Sequence, residues 1–511
     1  MGKEPGLKRP PALVPASAVA AAAALAATAW HIARNAAPPA WDDAWYLETS
    51  FRLFTALQAG PLAFAQSYLE AFRVKAPLIS LLPLPLYALF GAGERVAVWA
   101  NLPLAALAAW AWSRAAGAWW REHPRGPELA ALAGALTALL PLCYGLSRCF
   151  LVETLLTALL GLWAWRCAAA RTDDRAEGVR LGVIMGLGLL TKVTFPLLAA
   201  GLAWPARARL KPHAQTALLV AVAIAATWYL ENLPYVLGYA WSAGFGRVAA
   251  DYAGAGGLAA RLDWLTSLLK NGLSWPLTAA MAAVTLAAVM KDRGLRDSGT
   301  RAALWGLAPL LVYAASVNRE PRLAAPLLPV LALLAARAAV SFNNAAARTL
   351  AAVVLLGTGL AVCADQTFRA GPARALAYNG IPSTDPGWDR TALVDAVAAA
   401  GGRVAAVALE HPRLNANNLA SLSAARGLDV KFVSLGYAQA SAEGALIRLK
   451  DKSATNLILV SGVPDAELAV FLNRANAGVA EAVRSGRLPA QETARVALAP
   501  GVTATVLRLA R

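Results

Sequence analysis

Charged residues are scarce in this chain. Asp, Glu, Lys and Arg make up only 15% of its 511 residues, whereas hydrophobic residues make up 58%. An ordinary soluble domain carries about 25% charged residues, so the composition excludes a typical soluble globular protein. Several apolar runs reach roughly the 20 residues that a helix needs to cross a bilayer. The chain is therefore predicted to be a polytopic α-helical membrane protein.

Acidic residues are the rarer charged type, since 30 Asp and Glu stand against 47 Lys and Arg, a net charge of +17. Such a basic balance can indicate a nucleic-acid partner. Here the basic residues lie mainly in short loops between apolar segments, which is the pattern that orients membrane proteins with positive loops inside. We therefore expect membrane lipids as partners and no nucleic acid.

Cysteine and histidine are also rare, with four residues of each. Cys143, Cys149, Cys167 and Cys363 lack metal-ligand spacing and are too few for a disulfide scaffold. A Cys143–Cys149 disulfide remains open, but isolated thiols are favoured. His31 stands alone near the end of an apolar run, so the sequence predicts no metal site from a ligand cluster.

Apolar periodicity and loop charge predict eleven membrane spans. Their approximate ranges are 13–34, 95–116, 128–145, 150–170, 178–191, 194–205, 215–231, 264–290, 302–317, 323–341 and 347–364. The Arg- and Lys-rich loops place the N-terminus in the cytoplasm and, with an odd span count, the C-terminus outside. Residues 77–90 are apolar but short and proline-rich. We assign them to an interfacial helix in a first outer loop, residues 35–94.

The composition changes after Cys363. Strand patterns lie near 403–410, 430–434, 456–460 and 495–498, with 502–507 as a possible closing hairpin partner. Helical patterns lie near 389–400, 415–426, 440–450 and 465–485. This alternation predicts a small three-layer α/β domain with a mostly parallel sheet. The chain is thus divided into a transmembrane domain, residues 1–365, and a periplasmic α/β domain, residues 366–511. No phosphate-loop or dinucleotide fingerprint accompanies the second domain.

Asp42 and Asp43 follow the first predicted span directly. Carboxylates at a membrane surface are costly unless they face water, a cation or a reacting hydroxyl. Such a carboxylate can deprotonate or polarise an acceptor hydroxyl that attacks an activated sugar carbon. The alternative is a solvated pair that caps the following amphipathic helix, predicted around 44–59, because Asp is favoured at a helix N-cap.

Four basic residues are predicted on the same outer surface as the acid pair, namely Lys75, Arg95, Arg148 and Lys192. Recognition of a phosphate at a membrane surface needs several Lys and Arg donors from different segments. The alternative for each is a contact with lipid headgroups, which suits Lys192 least because it lies between two short spans. Glu153 either pairs with Arg148 or orients the cations.

A late charged turn, Asn318-Arg319-Glu320-Pro321-Arg322, precedes two prolines in an apolar run. Arg319 or Arg322 can approach a donor phosphate from this turn. A simple loop is an equally good interpretation.

Taken in order, these residues resemble the GT-C superfamily of polyprenyl-phosphate-sugar-dependent glycosyltransferases. The nearest branch is that of the protein mannosyltransferases and the aminoarabinose transferases of lipid A. The matching pieces are Asp42-Asp43-x-x-Tyr46, Lys75-x-Pro77 with Leu89-Phe90-Gly91 and Arg95, Arg148-x-x-x-x-Glu153, Gly182-x-x-x-Gly186-x-x-x-x-Thr191-Lys192, and Arg319-x-x-Arg322 with Pro326 and Pro329. The chain departs from the family pattern at Asp43, where Glu is usual, and at Glu153, where Asp is usual.

The resemblance implies a GT-C-like fold with Asp42 as the catalytic carboxylate and Asp43 as its partner. It also implies that Lys75, with Lys192 or nearby arginines, holds the lipid phosphate. The expected substrate-binding set is Tyr46, Lys75, Arg95, Arg148, Glu153, Lys192, Arg319 and Arg322.

The implied activity is transfer of a sugar, with inversion, from a polyprenyl-phosphate donor to lipid A, a polysaccharide or a protein. It would take place on the outer face of a bacterial inner membrane. No cofactor is certain, and a divalent cation at Asp42 is left open.

Two other functions fit a polytopic membrane protein. A transporter or flippase of lipid-linked sugars predicts inverted repeats and charges near the bilayer midplane, whereas the charges here gather at one surface. A non-catalytic scaffold whose outer domain binds a partner would need neither the acid pair nor the cations.

Overall fold

A computed structural model describes residues 12–174, 176–246, 249, 257–291, 297–316, 318–369, 378, 380–385, 387–436 and 441–510. A helical part is followed by an α/β part at the C-terminal end. The helices of the first part are α1 Leu13–Arg34, α2 Asp42–Ala59, α3 Pro61–Glu70, α4 Leu78–Leu81, α5 Leu84–Phe90, α6 Glu94–Trp99, α7 Asn101–Trp119, α8 Gly126–Leu139, α9 Pro141–Leu146, α10 Glu153–Ala169, α11 Glu177–Thr191, α12 Phe195–Ala203, α13 Arg207–Leu210, α14 Ala214–Gly244, α15 Leu258–Ser267, α16 Trp275–Lys291, α17 Ser298–Gly306, α18 Pro309–Ala315, α19 Leu328–Ser341 and α20 Ala345–Ala364. Short 3₁₀ or π turns connect some of them, at Trp204–Ala206, Lys211–His213, Leu268–Leu273, Pro321–Leu327 and Asp365–Arg369.

Several helices of the first part are suited to cross a membrane. Within the described residues, five helical stretches are long and apolar enough, namely Leu13–Arg34, Glu94–Trp119, Phe195–Gly244, Pro321–Ser341 and Ala345–Arg369. A sixth arises if Leu258–Leu273 and Trp275–Lys291 form one span, although these two bend by 95°. The chain is therefore a multi-pass membrane protein, as its composition predicted.

The predicted span at 264–290 is not one continuous helix but a pair of helices that bend by 95°. The break falls at Ser274, which has φ 68° and therefore cannot continue an α-helix. The helix predicted around 44–59 is present as α2. Residues 77–90 form the two short helices α4 and α5. Prolines stand at the start of α5, where the missing backbone N–H has no helical partner to lose.

Glycines set the contact between α11 and α14. A Cβ on Gly182 would lie 2.6 Å from Val220 Cβ, and one on Gly186 would lie 2.7 Å from Ile224 Cβ. Small residues four apart let two membrane helices approach closely. The Gly182-x-x-x-Gly186 motif is thus a packing device. It fixes the position of Lys192, which directly follows α11.

The α/β part contains the helices α21 Arg390–Ala399, α22 Ala416–Ala425, α23 Ala442–Asp451, α24 Val470–Asn473 and α25 Asn476–Arg484. Its strands are β1 Val404–Val407, β2 Lys431–Ser434, β3 Asn456–Ser461, β4 Ala490–Ala499 and β5 Val502–Leu509, in the sheet order β2-β1-β3-β5-β4. β1 pairs in parallel with β2 and β3, whereas β5 pairs antiparallel with β3 and β4. The prediction of a mostly parallel sheet is therefore wrong. The sheet is mixed, because Gly501 at φ 77° turns the chain directly from β4 into β5.

Helices cover both faces of this sheet, as the three-layer prediction requires. Ala405 and Val407 pack into the core that contains α21 and α22, and Ala406 packs into the core that contains α23 and α25. Successive residues of a strand point to opposite faces, which explains the alternation. Helix α2 packs along α22, so the α/β part lies directly over the segment that carries the acid pair.

Candidate active site

The acid pair occupies the first turn of α2. Asp42 and Asp43 are the first two helical residues, and Trp41 is the N-cap. Acidic side chains are favoured there because the free backbone N–H groups give the helix start a partial positive charge. The capping interpretation is incomplete, however, because the side chains of both residues have partners from distant segments.

Asp42 bridges two cations. Its Oδ1 accepts a 2.6 Å bond from Lys75 Nζ, and its Oδ2 accepts a 2.7 Å bond from Arg322 Nη2. Burial alone would raise the pKa of Asp42, but the charges of Lys75 and Arg322 hold it well below its usual range. Charge-assisted bonds of this length are the stronger class of hydrogen bond. The Asp42 carboxylate thus holds Lys75 and Arg322 close together, so that a phosphate could bind both cations.

Aromatic rings surround the Lys75 ammonium group. Lys75 Nζ lies 4.5 Å from the ring centroid of Trp45 and 5.3 Å from that of Tyr46. Tyr46 in turn packs edge-on against Phe72, with ring centroids 5.2 Å apart. A cation over an aromatic face is attracted by the ring quadrupole. Burial lowers the pKa of Lys75, whereas the Asp42 carboxylate raises it.

Asp43 has a different environment from Asp42. Its Oδ1 accepts a 2.9 Å bond from the backbone N–H of Phe150, and no cation pairs with it in the described part of the chain. Burial raises the pKa of Asp43 to about 7, and the nearby carboxylate of Glu94 adds to the effect, while the Phe150 bond opposes it. The two adjacent acids therefore differ in charge near neutral pH.

A second ion pair lies beside the first. Lys192 Nζ donates to Glu153 Oε1 at 3.2 Å, and its positive charge lowers the pKa of Lys75. Glu153 is only 2% exposed. Its Oε2 has no hydrogen-bond partner among the residues that the structure describes. Of the two roles left open for Glu153, orienting a cation is the one that the geometry matches.

The late charged turn supplies Arg322 and Glu320, and Tyr378 joins them from another segment. Arg322 Nε lies 2.8 Å from Glu320 Oε1, and Tyr378 donates to the same Glu320 oxygen at 2.9 Å. Glu320 was visible as a charge in the turn, but nothing local distinguished it from a solvated loop residue. Tyr378 belongs to a distant segment, and no pattern in the sequence connects it to this turn.

Three predicted residues lie away from this cluster. Arg95 is exposed and donates to the backbone oxygen of Asn35 at 3.3 Å. Arg319 forms no ion pair within the described ranges. Arg148 is buried, donates to Thr367 Oγ1 at 2.6 Å and lies over the ring of Tyr144. An Arg148–Glu153 pair does not form, because the Glu153 carboxylate turns to Lys192 instead.

The donor set fits an anion better than a divalent metal. No group of three or more His, Cys, Asp and Glu side chains converges within the described residues. Both oxygens of Asp42 already accept bonds from cations, and a metal ion would have to displace them. Phosphate, by contrast, is bound by the Lys and Arg donors that are present.

No family model and no curated protein sequence matches the chain. Among solved structures, it is similar to ArnT from Cupriavidus metallidurans bound to undecaprenyl phosphate. The TM-score is 0.56 at 15% identity, over 96% of this chain and 97% of that one.

Two structures from Archaeoglobus fulgidus are also similar. For the oligosaccharyltransferase in complex with Zn and sulfate, the TM-score is 0.55 at 12% identity, over 86% of this chain and 67% of that one. For the oligosaccharyltransferase AglB in complex with an inhibitory peptide and a dolichol-phosphate, the TM-score is 0.53 at 10% identity, over 87% of this chain and 69% of that one. The chain thus shares its fold with these proteins over most of its length, as the resemblance of its ordered motifs predicted.

Proposed function

We propose that this chain is an integral membrane glycosyltransferase that moves a sugar from a polyprenyl-phosphate donor to an acceptor outside the cytoplasm. The observation that carries the proposal is the bridge that Asp42 forms between Lys75 and Arg322. These cations come from segments 33 and 280 residues away. A solvated helix cap needs neither partner, whereas a phosphate-linked substrate needs both.

The donor phosphate is proposed to bind Lys75, Arg322 and Lys192. Without a ligand, the carboxylates of Asp42 and Glu153 hold these three cations in place. A bound phosphate would share their charge and weaken their hold on Asp42. The similar proteins from Cupriavidus metallidurans and Archaeoglobus fulgidus were solved with undecaprenyl phosphate and with a dolichol-phosphate, which supports a lipid phosphate as the ligand.

The proposed reaction is a single displacement with inversion. The acceptor oxygen forms a bond to the anomeric carbon, the bond from that carbon to the phosphate oxygen breaks, and the acceptor proton passes to Asp42. The polyprenyl phosphate leaves as an anion that the cations stabilise, so the leaving group needs no general acid. Asp43, through its bond to Phe150, holds the first turn of α2 in place.

The membrane arrangement is proposed to follow the loop charges. Eleven spans would place the N-terminus in the cytoplasm and would place the first loop, residues 35–94, on the outer face of a bacterial inner membrane. Residues 1–365 would form the transmembrane catalytic domain, and residues 366–511 the periplasmic domain. A reporter fused after Arg511 tests this, because a cytoplasmic signal would overturn the odd number of spans.

The activity is tested by mass spectrometry of envelope glycans from cells with and without the gene. We expect one sugar modification of lipid A, a polysaccharide or a protein to disappear in the deletion strain and to return on complementation. Identical glycan profiles in the two strains would contradict a transferase and would favour a scaffold.

A further inference from the structure

Trp41, the residue directly before the acid pair, has an unusual backbone conformation. Its φ is 49° and its ψ is −116°, and a bulky side chain at positive φ is a steric outlier. Such strain persists only where the surroundings impose it, and it concentrates at functional sites. Trp41 is the N-cap of α2, and Asp42 and Asp43 are the first two residues of that helix. The backbone conformation of Trp41 therefore sets how the side chains of Asp42 and Asp43 are oriented.

The contacts that hold Trp41 come from the α/β part of the chain. Trp41 Nε1 donates to Glu410 Oε2 at 3.1 Å, and Asn417 Nδ2 donates to the Trp41 backbone oxygen at 3.0 Å. The same backbone oxygen accepts the first helical bond of α2, from Trp45 N at 2.9 Å. The α/β part therefore forms hydrogen bonds with both the side chain and the backbone of Trp41.

Glu410 is fixed in a position that α/β proteins use for ligands. It is 3% exposed and follows the carboxyl end of the parallel strand β1. Asn473 bonds to both the N–H and the C=O of Glu410, each at 2.9 Å. In open α/β sheets, ligands bind beyond the carboxyl ends of the parallel strands. Here the group bound at that place is Trp41 of the same chain.

We propose that Glu410 and Asn417 are positioning residues for the acid pair, so that docking of the α/β part onto Trp41 is a condition for sugar transfer. This inference rests on the proposed function for its effect on catalysis. The claim that Glu410 and Asn417 order the first turn of α2 does not depend on the proposed function, because that order can be measured without any substrate. Neither residue needs to touch the donor or the acceptor.

The test compares Glu410→Ala, Glu410→Gln and Asn417→Ala in the full-length chain. Glu492→Ala is the matched control, because Glu492 lies on β4 and pairs only with Arg495 within the described residues. Hydrogen exchange of the backbone amides in residues 42–50 is measured on the purified protein, and the glycan modification is measured in cells. Glu410→Gln keeps an oxygen that accepts the bond from Trp41 Nε1.

We expect Glu410→Ala to speed amide exchange in the first turn of α2 by about tenfold or more and to lower the modification in proportion. Glu410→Gln should restore most of both, and the control should change neither. If Glu410→Ala does not fold, Asn417→Ala makes the same comparison through the second bond. Unchanged exchange in α2 in the variants that fold would overturn the proposal. A wild-type chain without transferase activity would instead overturn the proposed function. The amide-exchange result would then still test whether Glu410 and Asn417 position the first turn of α2.

Discussion

The carboxylate of Asp42 accepts a 2.7 Å bond from the guanidinium of Arg322, which lies 280 residues further along the chain. The other carboxylate oxygen accepts from Lys75. One acid at the start of α2 thus draws together two cations from opposite ends of the helical part.

Removing the Lys75 charge should weaken binding of a lipid phosphate. Loss of one hydrogen bond between charged groups is worth roughly 1.5–3 kcal/mol, or on the order of 10- to 100-fold in affinity. We expect Lys75→Met to show this loss when undecaprenyl phosphate is titrated into the purified protein. Lys452→Met, at an exposed position in the α/β part, is the control. Equal affinity of the two variants would exclude Lys75 from the phosphate site.

Asp43 should make the stability of the protein fall as pH rises. Its folded-state pKa of about 7 lies above the 3.8 of an unperturbed Asp, so the folded protein retains the proton more strongly than the unfolded chain does. Its stabilising effect is full below about pH 4 and is lost as pH rises to about 7. Asn cannot ionise but can still accept from Phe150 N–H.

The melting temperature of Asp43→Asn should therefore exceed that of the wild type by a margin that grows from pH 5 to pH 8. A margin that does not depend on pH would contradict the raised pKa. The variant should also keep activity within about tenfold of the wild type. A loss of 100-fold or more, the size expected for removal of a general base, would instead make Asp43 the proton acceptor.

The Lys192–Glu153 pair should show strong coupling. Lys192→Met leaves the buried Glu153 carboxylate without its cation, and breaking a buried pair in this way costs roughly 3–5 kcal/mol. Adding Glu153→Gln removes the stranded charge, so we expect the double variant to melt at a higher temperature than Lys192→Met alone. Thermal unfolding of the single and double variants measures this. A double variant no more stable than Lys192→Met would mean that the pair contributes little.

The α11–α14 contact should tolerate no side chain at Gly182. Gly182→Ala places a Cβ 2.6 Å from Val220 Cβ, and overpacking of this kind costs typically about 1–3 kcal/mol. Gly357→Ala in α20 meets nothing within 4 Å and is the matched control, with no loss expected. Because Lys192 directly follows α11, Gly182→Ala should also lower activity. Similar melting temperatures for the two variants would contradict the packing role.

Local patterns in the sequence predicted the features that depend on residues close together in the chain. Apolar periodicity was sufficient for most helices and for all five strands, although it marked only part of β4, and the order of the motifs was sufficient to predict the fold that the chain shares with the similar solved structures. The site could be predicted only in part. Lys75 and Arg322 both meet Asp42. Arg148 instead donates to Thr367 and lies over the ring of Tyr144, because the turn Asp365–Arg369 comes close to α9, where Tyr144 donates to Gln366.

The rest depends on contacts between distant segments. Glu153 pairs with Lys192 because the N-terminus of α10 lies next to the C-terminus of α11 in space. No local sequence pattern predicts that contact. Trp41 and Glu410 are separated by 369 residues, and each is unremarkable alone. The mixed sheet was missed because the strand patterns mark where β4 and β5 lie but not that β5 pairs antiparallel with β3.

We propose Asp42 as the catalytic carboxylate of a glycosyltransferase. The most direct test is the glycan modification in a deletion strain that carries Asp42→Asn at wild-type protein levels. Asp173→Asn makes the same chemical change at an exposed ion pair with Arg171 and is the control. We expect Asp42→Asn to lower the modification by about 100-fold or more and Asp173→Asn to restore it fully. Full modification with Asp42→Asn would exclude Asp42 as the catalytic carboxylate.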